Sequence, residues 1–276
     1  MKTMKIGRKT MTKHSISIGR VELITLTDGY GSGKPTDVFP ESTETEWEEY
    51  KEFLDSDGFL TPRFGVTAVH SAGQLIIVDT GLNGPDGQLI NEMNAKGVDP
   101  NEVGLVVLTH LHPDHVGWNM SNGKPTFPNA RYLISKDDFN YWTSPEVLES
   151  AEHIHNYVLP LKELDVIDLI EGESVITNEL HSVSTPGHTP GHISIMVSSD
   201  GNNGIILGDV AHSPAQAHHT DWSPGFDVDP DLARETRHRV IDSLEESSAI
   251  VSSGHFPDPG FGRFVREEGK RIWKAL

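Results

Sequence analysis

The sequence predicts a mixed α/β (α+β) chain in which two β-sheets pack face to face with helices on their outer sides. Three observations carry this. Short apolar runs bounded by turn residues recur early and late in each half of the chain, and stretches with helical spacing are interspersed among them. Val103–Leu108 is an uninterrupted apolar run, the pattern of a strand buried on both faces. A chain of 276 residues, 36% hydrophobic, can supply a sizeable core, and residues 15–276 read as a single catalytic domain. No internal repeat or low-complexity linker divides it.

Ile16–Ile18 and Val21–Thr27 read as strands hinged at Gly19-Arg20, followed by a glycine-rich connection from Asp28. Residues 36–62 form a polar insertion, where Thr43 and Glu46 make a capping-box pattern ahead of Trp47, Tyr50, Phe53 and Leu54. One amphipathic helix is expected there, with its aromatic stripe facing the core, or serving as a lid or a homodimer contact. Gly65–Ala72 and Gln74–Asp79 form the next strand pair, and Leu89–Ala95 a short helix. Asp79 ends an apolar strand, where a sheet delivers groups to a site.

Arg131–Ile134 is a strand and Lys136–Trp142 a helix, and Ser144-Pro145 opens a helix expected to run Glu146–Tyr157. Val166–Ile170, Val175–Ser184, Ile193–Val197 and Ile205–Leu207 are strands. Asp229-Pro230 caps a long helix to about Glu246, Ala249–Val251 is a buried strand, and Gly262–Leu276 reads as a terminal helix.

Composition excludes several functions. A formal charge of -19, from 22 basic and 41 acidic side chains, argues against nucleic acid or an anionic membrane as partner, since phosphate must be met by Lys and Arg. There is no cysteine, so disulfides, thiolate metal sites and cysteine nucleophiles are excluded and any metal must be held by nitrogen and oxygen. Lys2, Lys5, Arg8, Lys9 and Lys13 look like the start of a signal peptide, but no unbroken apolar segment follows. Residues 1–14 therefore read as a disordered arm and the protein as cytoplasmic. No run of about 18 apolar residues is present.

The chemistry concentrates in Thr109-His-Leu-His-Pro-Asp-His115, three imidazoles and a carboxylate directly after the buried strand. A packed core would not tolerate that density of metal-capable groups unpaired. Three further strand ends carry ligand-type residues: His188 in Thr185-Pro-Gly-His-Thr-Pro-Gly-His192, Asp209 after Gly208, and His255 after Ser253-Gly254. Loops at one rim of a sheet can gather these into one cluster large enough for two divalent ions.

In order and spacing these motifs resemble the metallo-β-lactamase superfamily, whose signature is His-x-His-x-Asp-His, then a His, a bridging Asp and a last His. The resemblance implies an αββα sandwich. It makes His110, His112 and His188 the ligands of one metal, Asp114, His115 and His255 those of the other, and Asp209 the bridge, with Asp79 orienting a ligand histidine. His192 would be a hydrogen-bonded residue at a strand start, or take a catalytic part. The metals expected are zinc, with manganese, iron or cobalt as alternatives. A metal-bridging hydroxide would be the nucleophile, with Asp114 or Asp209 carrying the proton.

The absence of cysteine and the bridging aspartate separate the chain from most β-lactamases of this superfamily, and His112 separates it from the flavodiiron branch. It looks most similar to the acyl-homoserine lactone lactonase and methyl parathion hydrolase branch, which implies a small-molecule lactone or ester substrate. Phosphotriester, glyoxalase II-type thioester and β-lactam hydrolysis remain open, as do a non-catalytic metal-binding protein and an oxygen-using iron enzyme. His212, His218, His219, Trp222 and Phe226 in the loop Ala211–Asp227, with Trp118 and Phe256 beside ligand positions, are the candidates for the substrate pocket.

Overall fold

The computed structural model describes residues 14–276, so the arm expected at 1–14 lies outside the described residues apart from His14. His14 is already tied in, its carbonyl accepting the N–H of Thr25. The first sheet begins with β1 (Ser15–Ile18), β2 (Val21–Tyr30), β3 (Arg63–Ser71), β4 (Gln74–Val78) and β5 (Val103–Leu108). After a small ribbon of β6 (Met120–Ser121) and β7 (Lys124–Pro125), it is completed by β8 (Arg131–Ser135) and β9 (Ile167–Ile170). Its order is β1-β2-β3-β4-β5-β8-β9, antiparallel to β4 and parallel from there. The second sheet runs in chain order through β10 (Leu180–Ser184), β11 (Ile193–Ser199), β12 (Asn202–Ile206), β13 (Ile250–Ser252), β14 (Phe261–Glu267) and β15 (Lys270–Ala275).

Alternation along single strands sorts residues into layers. Ile76, Val78 and Val107 face the second sheet and meet Ile193, Ile195, Val197 and Ile206. Their neighbours Ile77, Val106 and Leu108 point the other way, onto the helices that carry Leu89, Met93, Phe139, Ile154 and Leu161. Helix Pro230–Ser247 covers the outer face of the second sheet through Val240, Ile241 and Leu244. Its start is capped as expected, the Asp229 side chain accepting the Leu232 N–H. The result is the αββα sandwich that the sequence predicts.

Five elements differ from expectation. The terminal segment is a hairpin of β14 and β15, because Glu268 and Gly269 both hold positive φ (50° and 84°) and turn the chain back on itself. The helix expected at Glu146–Tyr157 is broken into Pro145–Leu148 and Glu152–Tyr157, since Ala151 leaves the helical region to bury its side chain. The insertion keeps its capping box at Thr43 and Glu46 but not one helix, because Tyr50 kinks the backbone so that it and Trp47 both reach an inner aromatic cluster. The strand expected from Val175 starts only at Leu180, because a turn closes on the Thr177 hydroxyl, which accepts from the N–H groups of Glu179 and Leu180. The glycine-rich connection after Thr27 is likewise strand up to Tyr30, with a bulge between Thr27 and Gly29.

The buried Asp28 at that bulge accepts from the N–H groups of Leu82, Asn83 and Leu89 and from the Trp118 indole. It fixes the chain after β4. No helix among the described residues is long and apolar enough to cross a membrane.

Candidate metal centre

The parallel strands β4, β5, β12 and β13 end at one rim, and the loops there deliver every ligand-type residue singled out in the sequence. His110, His112, His188 and Asp209 form one group and Asp114, His115 and His255 a second, the potential ligand atoms within each lying within 4.8 Å of one another. In the first, His112 Nδ1 lies 3.0 Å from His110 Nε2 and 2.8 Å from His188 Nε2. Three ring nitrogens meeting at one point cannot all be satisfied by a shared proton, whereas a cation satisfies all three. Asp209 Oδ2 stands 3.7 Å from His110 Nε2 and 3.3 Å from His188 Nε2.

Asp209 also closes the second group. Its Oδ1 lies 3.4 Å from His115 Nε2 and its Oδ2 3.0 Å from His255 Nε2, while Asp114 Oδ2 is 3.6 Å and 3.7 Å from the same two nitrogens. His115 Nε2 and Asp209 Oδ1 are buried and not aligned for hydrogen bonding, two polar atoms aimed into one small space. A donor set of nitrogen and oxygen around such orphaned atoms fits a divalent ion at each group, with Asp209 common to both.

Charge is arranged to match. Burial disfavours the Asp209 carboxylate, but His115, His255 and His110 outweigh it and hold the carboxyl well below its usual range. Burial and then their imidazole neighbours push His110 and His112 well below the usual histidine range, so both are neutral donors. His188 goes the other way: against its burial, hydrogen bonds to Asp209 and Asp227 raise it to about 9. His115 is raised well above its usual range by Asp209, Asp114 and Asp79 against the same burial.

Each ring is aimed from behind. Asp79, held at φ 61°, accepts the Thr109 N–H at 2.8 Å and the His115 Nδ1–H at 2.9 Å, fixing both ends of the motif. Asp79→Asn is expected to weaken zinc binding about 10–100-fold, measured by competition with a chromophoric chelator. His192 Nε2 accepts the Asp209 N–H at 2.8 Å, so it positions the shared carboxylate. Gly208 is required beside it, since a Cβ there would sit 2.5 Å from His192 Nε2.

Three positioning groups carried no sequence signal. Asp227 accepts from His188 Nδ1 at 2.8 Å and is itself paired with the buried Arg237. Asp138, which burial raises to about 6, accepts the N–H groups of Leu111 and Gly191 and so ties the two histidine loops together. Arg63 supplies the carbonyl that accepts from His255 Nδ1 at 2.8 Å.

A profile of the Metallo-beta-lactamase superfamily matches residues 65–255. The chain belongs to this superfamily. N-acyl homoserine lactonase AiiA of Bacillus thuringiensis subsp. kurstaki is 23% identical over 170 residues, and the lactonase AttM of Azorhizobium caulinodans 28% over 181 residues. The first match spans 62% of this chain and 62% of the relative's length, the second 63% and 65%. Among solved structures, the hydrolase AbOPH of the β-lactamase superfamily aligns with a TM-score of 0.88 at 24% identity, covering 95% of this chain and 97% of that one. AidC, a dizinc quorum-quenching lactonase, aligns with a TM-score of 0.82 at 23% identity, covering 95% and 96%. At that identity both share the metallo-β-lactamase fold.

A cavity of about 620 Å³ opens from the cluster. Its floor is His112, Asp114, Asp209, His212 and His255, and its walls include Tyr30, Phe53, Leu54, Leu60, Phe64 and Phe226. Of the seven pocket candidates His212 and Phe226 line it. Trp118 is turned away by its bond to Asp28, and Phe256 packs on Trp273 with ring centroids 4.7 Å apart. Trp222 and His219 stack on each other at 4.0 Å within the aromatic cluster of the insertion, and His218 is an exposed neighbour of His219. The insertion instead supplies much of the wall, through Val38, Phe39, Phe53, Leu54 and Leu60.

Proposed function

We propose that this chain is a dinuclear-metal hydrolase, with zinc as its working metal, that opens a neutral lactone or ester bearing an apolar acyl tail. One observation carries the substrate class: the cavity over the metal cluster has a mostly apolar wall, and none of the described residues that line it is Lys or Arg. An anionic glutathione thioester or β-lactam carboxylate finds no cationic partner there, while an acyl chain finds Phe53, Leu54, Leu60 and Phe226. The likeness to acyl-homoserine lactonases supports the same reading.

His110, His112 and His188 would hold one ion, Asp114, His115 and His255 the other, and Asp209 both. Bound there, two divalent ions supply hydroxide at neutral pH and polarise the scissile carbonyl. The side chain of Asp209 is 4% exposed with both oxygens facing imidazoles, so it serves as a fixed ligand. Asp114 is 21% exposed on the cavity floor and is the carboxylate free to take a proton from the attacking water and deliver it to the departing alkoxide. His212 Nε2 lies 3.1 Å from Asp209 Oδ2 with its ring parallel to that of His255, so it helps to hold the shared carboxylate at the cavity floor.

A neutral phosphotriester meets the same mostly apolar wall and is the second reading. The test is a substrate panel on zinc-reconstituted protein: acyl-homoserine lactones of increasing chain length, an aryl ester, a phosphotriester, a glutathione thioester and a β-lactam. For lactones kcat/KM is expected to rise by up to about fourfold per added methylene until the cavity is filled. A thioester or β-lactam preferred over every lactone, or no dependence on chain length, would overturn the proposal.

A further inference from the structure

We propose that Arg63 is the positioning residue for His255 and thereby controls occupancy of the Asp114–His115–His255 metal subsite, an inference that rests on the two-metal reading above. Arg63 opens β3 and is almost wholly buried, yet among the described residues no carboxylate pairs with its guanidinium. The cation is spent on oxygens of two segments. Toward the turn that carries His255 it donates to the carbonyls of Ser253 at 2.8 Å, Phe256 at 3.3 Å and Pro259 at 3.4 Å. Toward β2 it donates to the Thr25 hydroxyl at 2.5 Å, the Thr27 hydroxyl at 3.3 Å and the Leu26 carbonyl at 3.4 Å.

The same residue's own carbonyl accepts from His255 Nδ1 at 2.8 Å, which leaves Nε2 as the donor facing Asp209 and Asp114. Side chain and main chain of Arg63 thus grip the turn from both sides of the ligand. Two glycines make the room. A Cβ at Gly260, where φ is +76°, would lie 2.3 Å from the guanidinium, and one at Gly65 would lie 2.8 Å from it and 2.5 Å from the Gly254 carbonyl. By contrast, His110, His112 and His188 are aimed by other groups, Asp227 among them, and none of them touches Arg63. His255 therefore has a support that the first group does not share, and loss of Arg63 should fall on its subsite.

Zinc titration of metal-free Arg63→Met and Arg63→Lys, against a chromophoric chelator and with circular dichroism as the check on folding, tests this. In Arg63→Met one of the two zinc equivalents is expected to weaken by about 10–100-fold, with the other unchanged. Arg63→Lys should recover part of that loss because it keeps a buried donor. In a His255→Ala background, Arg63→Met should add little further loss, since both changes remove one ligand. If Arg63→Met does not fold, Arg63→Lys and Thr25→Val, which strips one anchor from the guanidinium, decide the matter. Wild-type affinity for both ions in the folded variants, equal weakening of both ions, or full additivity with His255→Ala overturns the assignment. Wild-type protein that binds two zinc ions but opens no lactone would remove the proposed function and leave this assignment standing.

Discussion

Asp209→Asn is expected to lower kcat/KM by about 10³-fold or more, a loss on the order of 4 kcal/mol in transition-state stabilisation. The shared carboxylate is the one group that faces both halves of the cluster, with His110, His188, His212 and His255 on Oδ2 and His115 on Oδ1. An amide keeps the shape but withdraws the negative charge that five imidazoles surround, and it turns an N–H toward ring nitrogens that are themselves donors to metal. Zinc content is expected to fall below two per chain. The fold should survive, because the Asp209 N–H still donates to His192 and β12 is unaffected. Elemental analysis beside steady-state kinetics checks both outcomes, and near wild-type turnover would show that Asp209 does not bridge.

Removing metal is expected to abolish turnover and to lower Tm by on the order of 10 °C, both restored by zinc. Ligands that bind only the folded chain stabilise it by about 4 kcal/mol at a thousandfold excess over Kd, and in a chain of this size each kcal/mol moves Tm by roughly 2–4 °C. The effect carries a pH sign. Without metal, His188 holds its proton up to about pH 9 and His115 is raised as well, so an incoming ion must displace protons. Zinc affinity should therefore rise with pH through the neutral range and level off above about pH 9 at the His188 subsite. Differential scanning calorimetry with and without chelator, and zinc competition at several pH values, read these effects. A Tm indifferent to chelator would place metal outside the cluster.

The clustering of these residues is legible in the sequence because the candidate ligands stand next to regular elements. His110–His115 follows a strand whose apolar run is unmistakable, and His188, Asp209 and His255 each sit where another apolar strand stops. The groups that aim these ligands were not legible. Asp227, Asp138 and Arg63 act alone from a loop, a helix and a strand start, and only the fold brings them to His188, Leu111 and His255. Proximity in sequence also misled for the pocket: Phe256 follows a ligand directly, yet successive side chains diverge, and its ring joins Phe264 and Trp273 in the outer core. The segment Gly262–Leu276, expected as a helix, is instead the hairpin of β14 and β15. The Glu268-Gly269 pair, a turn between two short runs, is the signal present in the sequence.

The most direct test of a two-metal hydrolytic centre under an apolar cavity is zinc titration into metal-free protein, with hydrolysis of a long-chain acyl-homoserine lactone followed by acid release in a pH-stat. Turnover is expected to be absent without zinc and to reach its plateau at two equivalents per chain. No acid release at two bound equivalents, or full turnover with the cluster empty, would contradict it.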